Sequence, residues 1–77
     1  MTPALLARAG VLLYGEHWRA PLADALDVSY RTMQRWAAGH VAMPDGLPVE
    51  LGLLLCARRV DMAELLRELQ RDVLVAN

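Results

Sequence analysis

Several residue types are scarce or absent in this chain of 77 residues, and each absence narrows what it can be. The sequence has no lysine, and its formal net charge of −1 argues against a strongly basic protein that binds nucleic acid without sequence preference. Its one cysteine, Cys56, cannot form an intramolecular disulfide, and no Cys/His cluster has the spacing of zinc ligands. We therefore expect no metal, no cofactor and a reducing, cytoplasmic location.

Long apolar runs and alternating strand patterns are also absent. The apolar N-terminal stretch, residues 4–13, is interrupted by Arg8 and Gly10, is too short to span a bilayer and lacks a charged region before it. Nothing in the sequence therefore directs the chain to a membrane. Because the apolar residues recur at helical spacing, the sequence predicts an all-α fold in a single domain, residues 1–77.

Cap residues, prolines and glycines predict where the first helices begin and end. A first helix is capped by Thr2 and stops at Gly15, which supplies a left-handed conformation. A second helix has a proline in its first turn, where proline is tolerated, and ends at Leu26. A third runs from Ser29 to Gly39. These signals predict three short helices in the first half of the chain.

The second half is predicted to be helical from Pro48 onwards, after a loop that contains proline and glycine. Asp61, with Glu64 three residues later, matches a capping box. Residues 48–77 are therefore either one helix bent at Asp61 or two helices, which gives about five helices in a compact domain. Cys56 is expected to be a small buried residue on the fourth helix.

An apolar stripe repeats at helical spacing near the C-terminus, opposite glutamate and arginine side chains. Its members are Met62, Leu65, Leu66, Leu69, Val73 and Leu74. The stripe either closes the core of the monomer or forms a seam between two chains. A chain this short, with a hydrophobic fraction of 56%, buries little of its surface alone, which favours the dimer. Residues 48–77 are thus the predicted dimerisation region, with Met62, Leu65, Leu66, Leu69 and Val73 at the interface.

Residues 19–39 carry the pattern around which the rest of the chain is organised. Apolar residues on one face of each helix are predicted to hold the second and third helices together. They are Leu22, Ala23, Leu26, Val28, Met33 and Trp36. The small Ala23 lets the helices approach closely, and the Ser29 hydroxyl can cap the third helix. Trp18 and Trp36 are expected to lie in the core. The outward face of the third helix then consists of Tyr30, Arg31, Gln34 and Arg35.

This pattern resembles the helix-turn-helix regulators of the lambda repressor and Cro type. All six positions given above match that family, and the segment VSYRTMQRWAAG is similar to recognition helices of its small bacterial members. The family usually has glycine in the turn, in a left-handed conformation, where this chain has Asp27. Aspartate tolerates that conformation better than most residues, so the turn survives at modest cost.

The resemblance implies a transcriptional repressor that binds double-stranded DNA sequence-specifically, as a homodimer on an inverted repeat, and regulates its own operon. Such regulators occur in phage, antitoxin and anti-CRISPR operons, so a protein from the same operon is a further partner that the resemblance implies. Base contacts are implied at Tyr30, Arg31 and Arg35, with Gln34 beside them, and phosphate contacts at Arg19, Thr32 and His40. With the cap residue, the candidate DNA-binding residues are Arg19, Ser29, Tyr30, Arg31, Thr32, Gln34, Arg35 and His40.

Two other classes of function compete with this interpretation. A protein-interaction module can use the same helical fold without binding DNA, and its outer face would tolerate Arg31→Ala. An enzyme is disfavoured, because His17 and His40 have no carboxylate or nucleophile at useful spacing and the chain is short for a substrate cavity. We therefore expect no catalytic residue.

Overall fold

The computed structural model describes residues 1–76, and all regular secondary structure in that range is α-helix. The helices are α1 (Pro3–Tyr14), α2 (Arg19–Ala25), α3 (Tyr30–Ala38) and α4 (Leu47–Ala76). The all-α prediction is confirmed. Of the two alternatives for residues 48–77 the structure has the single helix, so there are four helices in the described residues and not about five. Residues 47–76 form one helix with no interruption at Asp61. A cap is needed only where backbone N–H groups lack partners, and no glycine or proline lies just before Asp61 to end the preceding turn.

Both ends of α1 follow the sequence signals. The Leu5 backbone N–H donates to the Thr2 hydroxyl at 3.2 Å, so Thr2 is the predicted cap. At the other end Gly15 has φ 83° and ψ −158°. Its φ is positive as predicted, but its ψ lies outside the left-handed helical region, in a conformation that is essentially restricted to glycine. The chain therefore leaves α1 along a path that a residue with a side chain would resist.

The core lies where α1, α2, α3 and the beginning of α4 meet. Its buried side chains are Leu6, Leu13, Trp18, Leu22, Ala23, Met33, Trp36, Leu47 and Leu51. Trp18 and Trp36 are 3% and 6% exposed, which confirms the prediction that both belong to the core. Leu26 and Val28 are half-buried and pack against the same cluster. Burial of this set removes apolar surface from water and so favours the packing of α2 and α3 against α1.

A close approach between α1 and Trp18 holds the N-terminal half together. Gly10 is buried, and a Cβ atom placed on it would overlap Cε3 and Cδ2 of the Trp18 ring and lie 2.8 Å from its Cγ. Only glycine leaves room for the indole at this point. The segment between α1 and α2 is therefore positioned by an aromatic ring that rests directly on the α1 backbone.

The second half of α4 projects beyond the core. Every residue from 59 to 75 is exposed, and the chain measures 55 × 22 × 20 Å with a radius of gyration of 15.9 Å. A compact chain of this length has a radius of gyration of about 11–12 Å. The predicted compactness therefore applies to the four-helix junction and not to the whole chain. No helix formed by residues 1–76 is long and apolar enough to cross a membrane.

The prediction that Cys56 is buried is wrong, because this side chain is exposed. It follows the buried Leu51 by five positions, which places it about 140° around the helix from the side that meets the core. Only one side of α4 contacts α1, so a residue at that angle faces solvent.

Candidate nucleic-acid interface

The turn between α2 and α3 is closed by two backbone hydrogen bonds around Asp27. The Val28 N–H donates to the Ala23 carbonyl at 3.0 Å, and the Asp27 N–H donates to the Asp24 carbonyl at 3.2 Å. This pair of bonds is the Schellman arrangement that ends many helices. Asp27 has φ 56°, the only positive φ of a non-glycine residue within the described chain. The left-handed conformation expected at Asp27 is confirmed.

Ser29 caps the start of α3, as predicted. Its Oγ accepts a hydrogen bond from the Thr32 backbone N–H at 3.1 Å and donates one to the Thr32 Oγ1 at 2.9 Å. Of these two bonds, the first satisfies one of the backbone donors left open at the helix start. They also fix Thr32, which is half-buried at the edge of the outward face. Both hydroxyl groups are thus engaged within the helix start itself.

A second Schellman arrangement ends α3. Gly39 is left-handed, with φ 77° and ψ 16°, and its N–H donates to the Trp36 carbonyl at 3.1 Å. The His40 N–H donates to the Arg35 carbonyl at 3.0 Å. Because both ends of α3 are closed by specific bonds, its nine residues form a short helix with a defined length and orientation.

The two sides of α3 differ sharply in burial. Met33 is fully buried and Trp36 nearly so, and these two side chains hold the helix on the core. The four residues predicted to face outward lie on the other side of the helix, and all of them are exposed. They are Tyr30, Arg31, Gln34 and Arg35. At about 100° per residue these four positions cover an arc of about 140°, so they share one outward face.

Arg19, at the beginning of α2, lies beside this face. Its guanidinium Cζ is 4.8 Å from the centroid of the Trp18 ring, a cation–π contact that orients the charge. An open cleft of about 420 Å³ is lined by Arg19, Tyr30 and Gln34 together with two alanines. The structure therefore brings together a predicted phosphate contact and two residues of the predicted base-contacting face.

Ala37 and Ala38 complete that cleft, and sequence reasoning did not identify them. Their spacing could have identified them, because they follow Gln34 by three and four positions and so lie on the adjacent turn of the helix. Small side chains there leave the cleft open between Arg19 and the helix.

The remaining candidate residues lie outside the cleft. Arg31 and Arg35 are on the same outward face of α3 but further around the helix, and no acidic residue occurs within α3. His40 is exposed just beyond the C-terminal end of α3, at the opposite end of the helix from Tyr30. Between residues 17 and 40 there are three arginines and two aspartates, so the segment that contains α2 and α3 has a small excess of positive charge.

The chain matches no protein-family model, no curated protein and no solved structure. The basis for a proposal of function is therefore the surface that α2 and α3 present.

Proposed function

We propose that this protein is a transcriptional repressor of the helix-turn-helix type that binds double-stranded DNA in a sequence-specific manner. In this proposal α2 and α3 are the two helices of the motif, and α3 enters the major groove. The lambda repressor and Cro type of regulator, which the sequence resembles, supplies the biological setting: a phage, antitoxin or anti-CRISPR operon that the protein itself represses.

The outward face of α3 is the observation that carries the proposal. An α-helix fits the major groove, and base edges there are read by side chains that donate and accept in defined directions. Arg31 and Arg35 suit guanine O6 and N7, Gln34 suits adenine, and Tyr30 is 48% exposed beside them. All four are on a helix whose opposite side is locked by Met33 and Trp36, so the reading face is rigid.

Arg19 supports the same proposal as a phosphate contact. Phosphate contacts fix the register of a protein on the duplex without reading its sequence. The Trp18 ring holds the Arg19 guanidinium close to the start of α3, next to Tyr30. A charge held in place loses less side-chain entropy on binding than a freely moving one, which favours contact with a fixed phosphate position.

A homodimer follows from the modest charge of the chain. With a net charge of −1, one copy has little general attraction for DNA, so useful affinity needs two reading helices. Dimers of this type place their half-sites about 34–36 Å apart on an inverted repeat. The exposed apolar stripe of α4 supplies a surface for joining two copies, since Leu65, Leu66 and Leu69 are each more than half exposed.

Fluorescence anisotropy on duplex DNA tests the proposal. The probes are the region upstream of the protein's own gene and sequences selected from a random pool, each measured between about 50 and 200 mM salt. We expect Arg31→Ala and Arg35→Ala each to weaken binding to the preferred sequence by about 1–3 kcal/mol, or about 5- to 150-fold. Arg67→Ala is the matched control, because Arg67 is exposed on α4, away from α3, and its loss should leave affinity unchanged.

A protein-interaction module is the second candidate, and the exposed stripe of α4 favours it. Residues such as Met62 and Leu69 would then receive a partner protein, and the α3 face would be a solvated surface. That function predicts no DNA binding with a salt-dependent slope. If Arg35→Ala leaves both affinity and sequence preference unchanged, α3 is not the reading helix and the interaction module is the better interpretation.

A further inference from the structure

One continuous apolar side of α4 lies in two different environments. Leu47 and Leu51 on this side are buried against the core near the start of the helix. At about 100° per residue, Met62 and Leu69 fall within about 20° of Leu51 around the helix axis. They are nevertheless 56% and 54% exposed. The same apolar side is therefore covered in the first half of α4 and bare in the second.

The second half of α4 is exposed because α1 is much shorter than α4. α1 has 12 residues and is about 18 Å long, whereas α4 has 30 residues and is about 45 Å long. α1 is the element that packs on α4, and it ends well before α4 does. Every residue of the α4 tail, residues 61–75, is exposed, although Met62 at its start still lines a groove beside α1. Packing of an apolar face supplies most of the stability of helices in proteins, so a covering surface would stabilise the tail.

A complementary surface lies between α1 and the middle of α4. An open groove of about 380 Å³ is lined by four apolar side chains and two arginines: Leu12, Leu13, Leu55, Arg58, Arg59 and Met62. It adjoins a second open groove of about 570 Å³ along α1, because Leu12 and Leu55 line both and Arg8 lines the second. Leu12 is 70% exposed, more than most apolar side chains of a folded chain.

Charge is also complementary between the tail and this α1–α4 groove. The tail has four acidic residues and two arginines, a net charge of −2. The two grooves are lined by three arginines and by no acidic residue. Arg58 is held at the rim, with its Cζ 5.7 Å from the centroid of the Tyr14 ring. Opposite charges at the edges of two apolar surfaces favour their association and fix its register.

We propose that the α4 tail of a second copy of this chain occupies the α1–α4 groove, and that the two copies exchange tails about a twofold axis. The inference rests on the homodimer of the proposed function and adds α1 to its interface. Because each tail points away from its own core, reciprocal docking requires the two α4 helices to run antiparallel. The bare side of each tail then meets the apolar residues of the partner's groove, and its acidic residues meet the arginines.

Sedimentation analysis of one matched pair of variants tests the groove. Leu12→Glu puts a charge into the groove, whereas Leu53→Glu makes the same change at a residue that is 67% exposed on another side of α4. We expect Leu12→Glu to reduce the mass from twice the 8.5 kDa chain to that of a single chain, while Leu53→Glu stays dimeric. If the wild type is dimeric and Leu12→Glu remains so, the tails pair without the groove and the inference is wrong. If the wild type is itself a monomer, the proposed homodimer fails as well.

Disulfide cross-linking tests the arrangement without depending on the tolerance of Leu12 for charge. In a Cys56→Ala background, Leu12→Cys is combined with Val73→Cys. Leu12 lines the groove whose last residue along α4 is Met62, and Val73 lies eleven residues, about 16 Å, beyond Met62. A disulfide needs Cα atoms within about 7 Å of each other. A bond between the two cysteines must therefore join two chains. We expect a covalent dimer from the double variant and none from either single variant. A dimer from Val73→Cys alone would indicate parallel tails and overturn the inference.

Discussion

Adding a single methyl group at Gly10 tests how the N-terminal half of the fold is held together. Gly10→Ala places a Cβ where the Trp18 ring now lies, with three ring atoms too close for a real contact. Gly52→Ala is the matched control, because Gly52 is also helical but a Cβ there would have no heavy atom within 4 Å. The two variants make the same chemical change in opposite surroundings.

The two substitutions are expected to change the free energy of unfolding in opposite directions. Replacing glycine by alanine in a helix interior stabilises the fold by about 0.5–1 kcal/mol, and this is the whole effect expected at Gly52. At Gly10 the same gain is opposed by overpacking, which costs about 1–3 kcal/mol in a filled core. Trp18 is 3% exposed, so its ring cannot swing into solvent without opening the core. We expect Gly10→Ala to be destabilising by about 1 kcal/mol net.

Thermal unfolding followed by circular dichroism measures both variants, at one protein concentration because a dimer's stability depends on it. For a chain of this size, 1 kcal/mol shifts Tm by about 4–8 °C, downward for Gly10→Ala and upward for Gly52→Ala. A double variant with Trp18→Leu should reduce the cost of Gly10→Ala, because the two positions are in contact. If Gly10→Ala raises Tm as Gly52→Ala does, the ring is not held against α1 and this account of the fold is refuted.

Two further predictions concern the turn and the cap that position α3, and urea unfolding measures both. Asp27→Gly should stabilise the chain by up to about 1 kcal/mol and Asp27→Val should destabilise it by at least about 1 kcal/mol, since only glycine adopts the left-handed conformation freely. Equal stabilities of these two variants would contradict the geometry of the turn. Ser29→Ala should cost about 1 kcal/mol, because the Thr32 N–H loses its acceptor, whereas Ser29→Asp should retain most of the stability. An unchanged Ser29→Ala midpoint would show that the cap contributes nothing.

The helix boundaries could be predicted because local chemistry determines them. Thr2, Ser29 and Gly39 act through bonds to residues three to five positions away, and such short-range partners are visible in a sequence. The left-handed conformation of Asp27, by contrast, was implied by the resemblance to the helix-turn-helix family and not by local chemistry. The capping-box signal at Asp61 failed, because such a motif starts a helix only where the preceding chain has already stopped being helical.

Long-range packing could not be predicted in the same way. Nothing near Gly10 in the sequence indicates that Trp18 will rest on it, since that contact depends on how α1 and α2 meet in space. The exposure of Cys56 likewise depends on which side of α4 meets α1. At the candidate site, helical periodicity was enough to predict the exposed face of α3, but the position of Arg19 beside Tyr30 required the fold.

The core connects the two surfaces that the proposals assign to DNA and to a second chain. Trp18 contacts the α1 backbone at Gly10 and also orients Arg19, so the packing of a buried ring sets where a proposed phosphate contact lies. Leu51 is buried in the same core and fixes the direction in which the α4 tail leaves it. In the proposed dimer, the separation of the two α3 helices therefore depends on core packing as well as on the interface. Core substitutions that leave the chain folded should then alter the preferred half-site spacing, which no change on the α3 face alone would do.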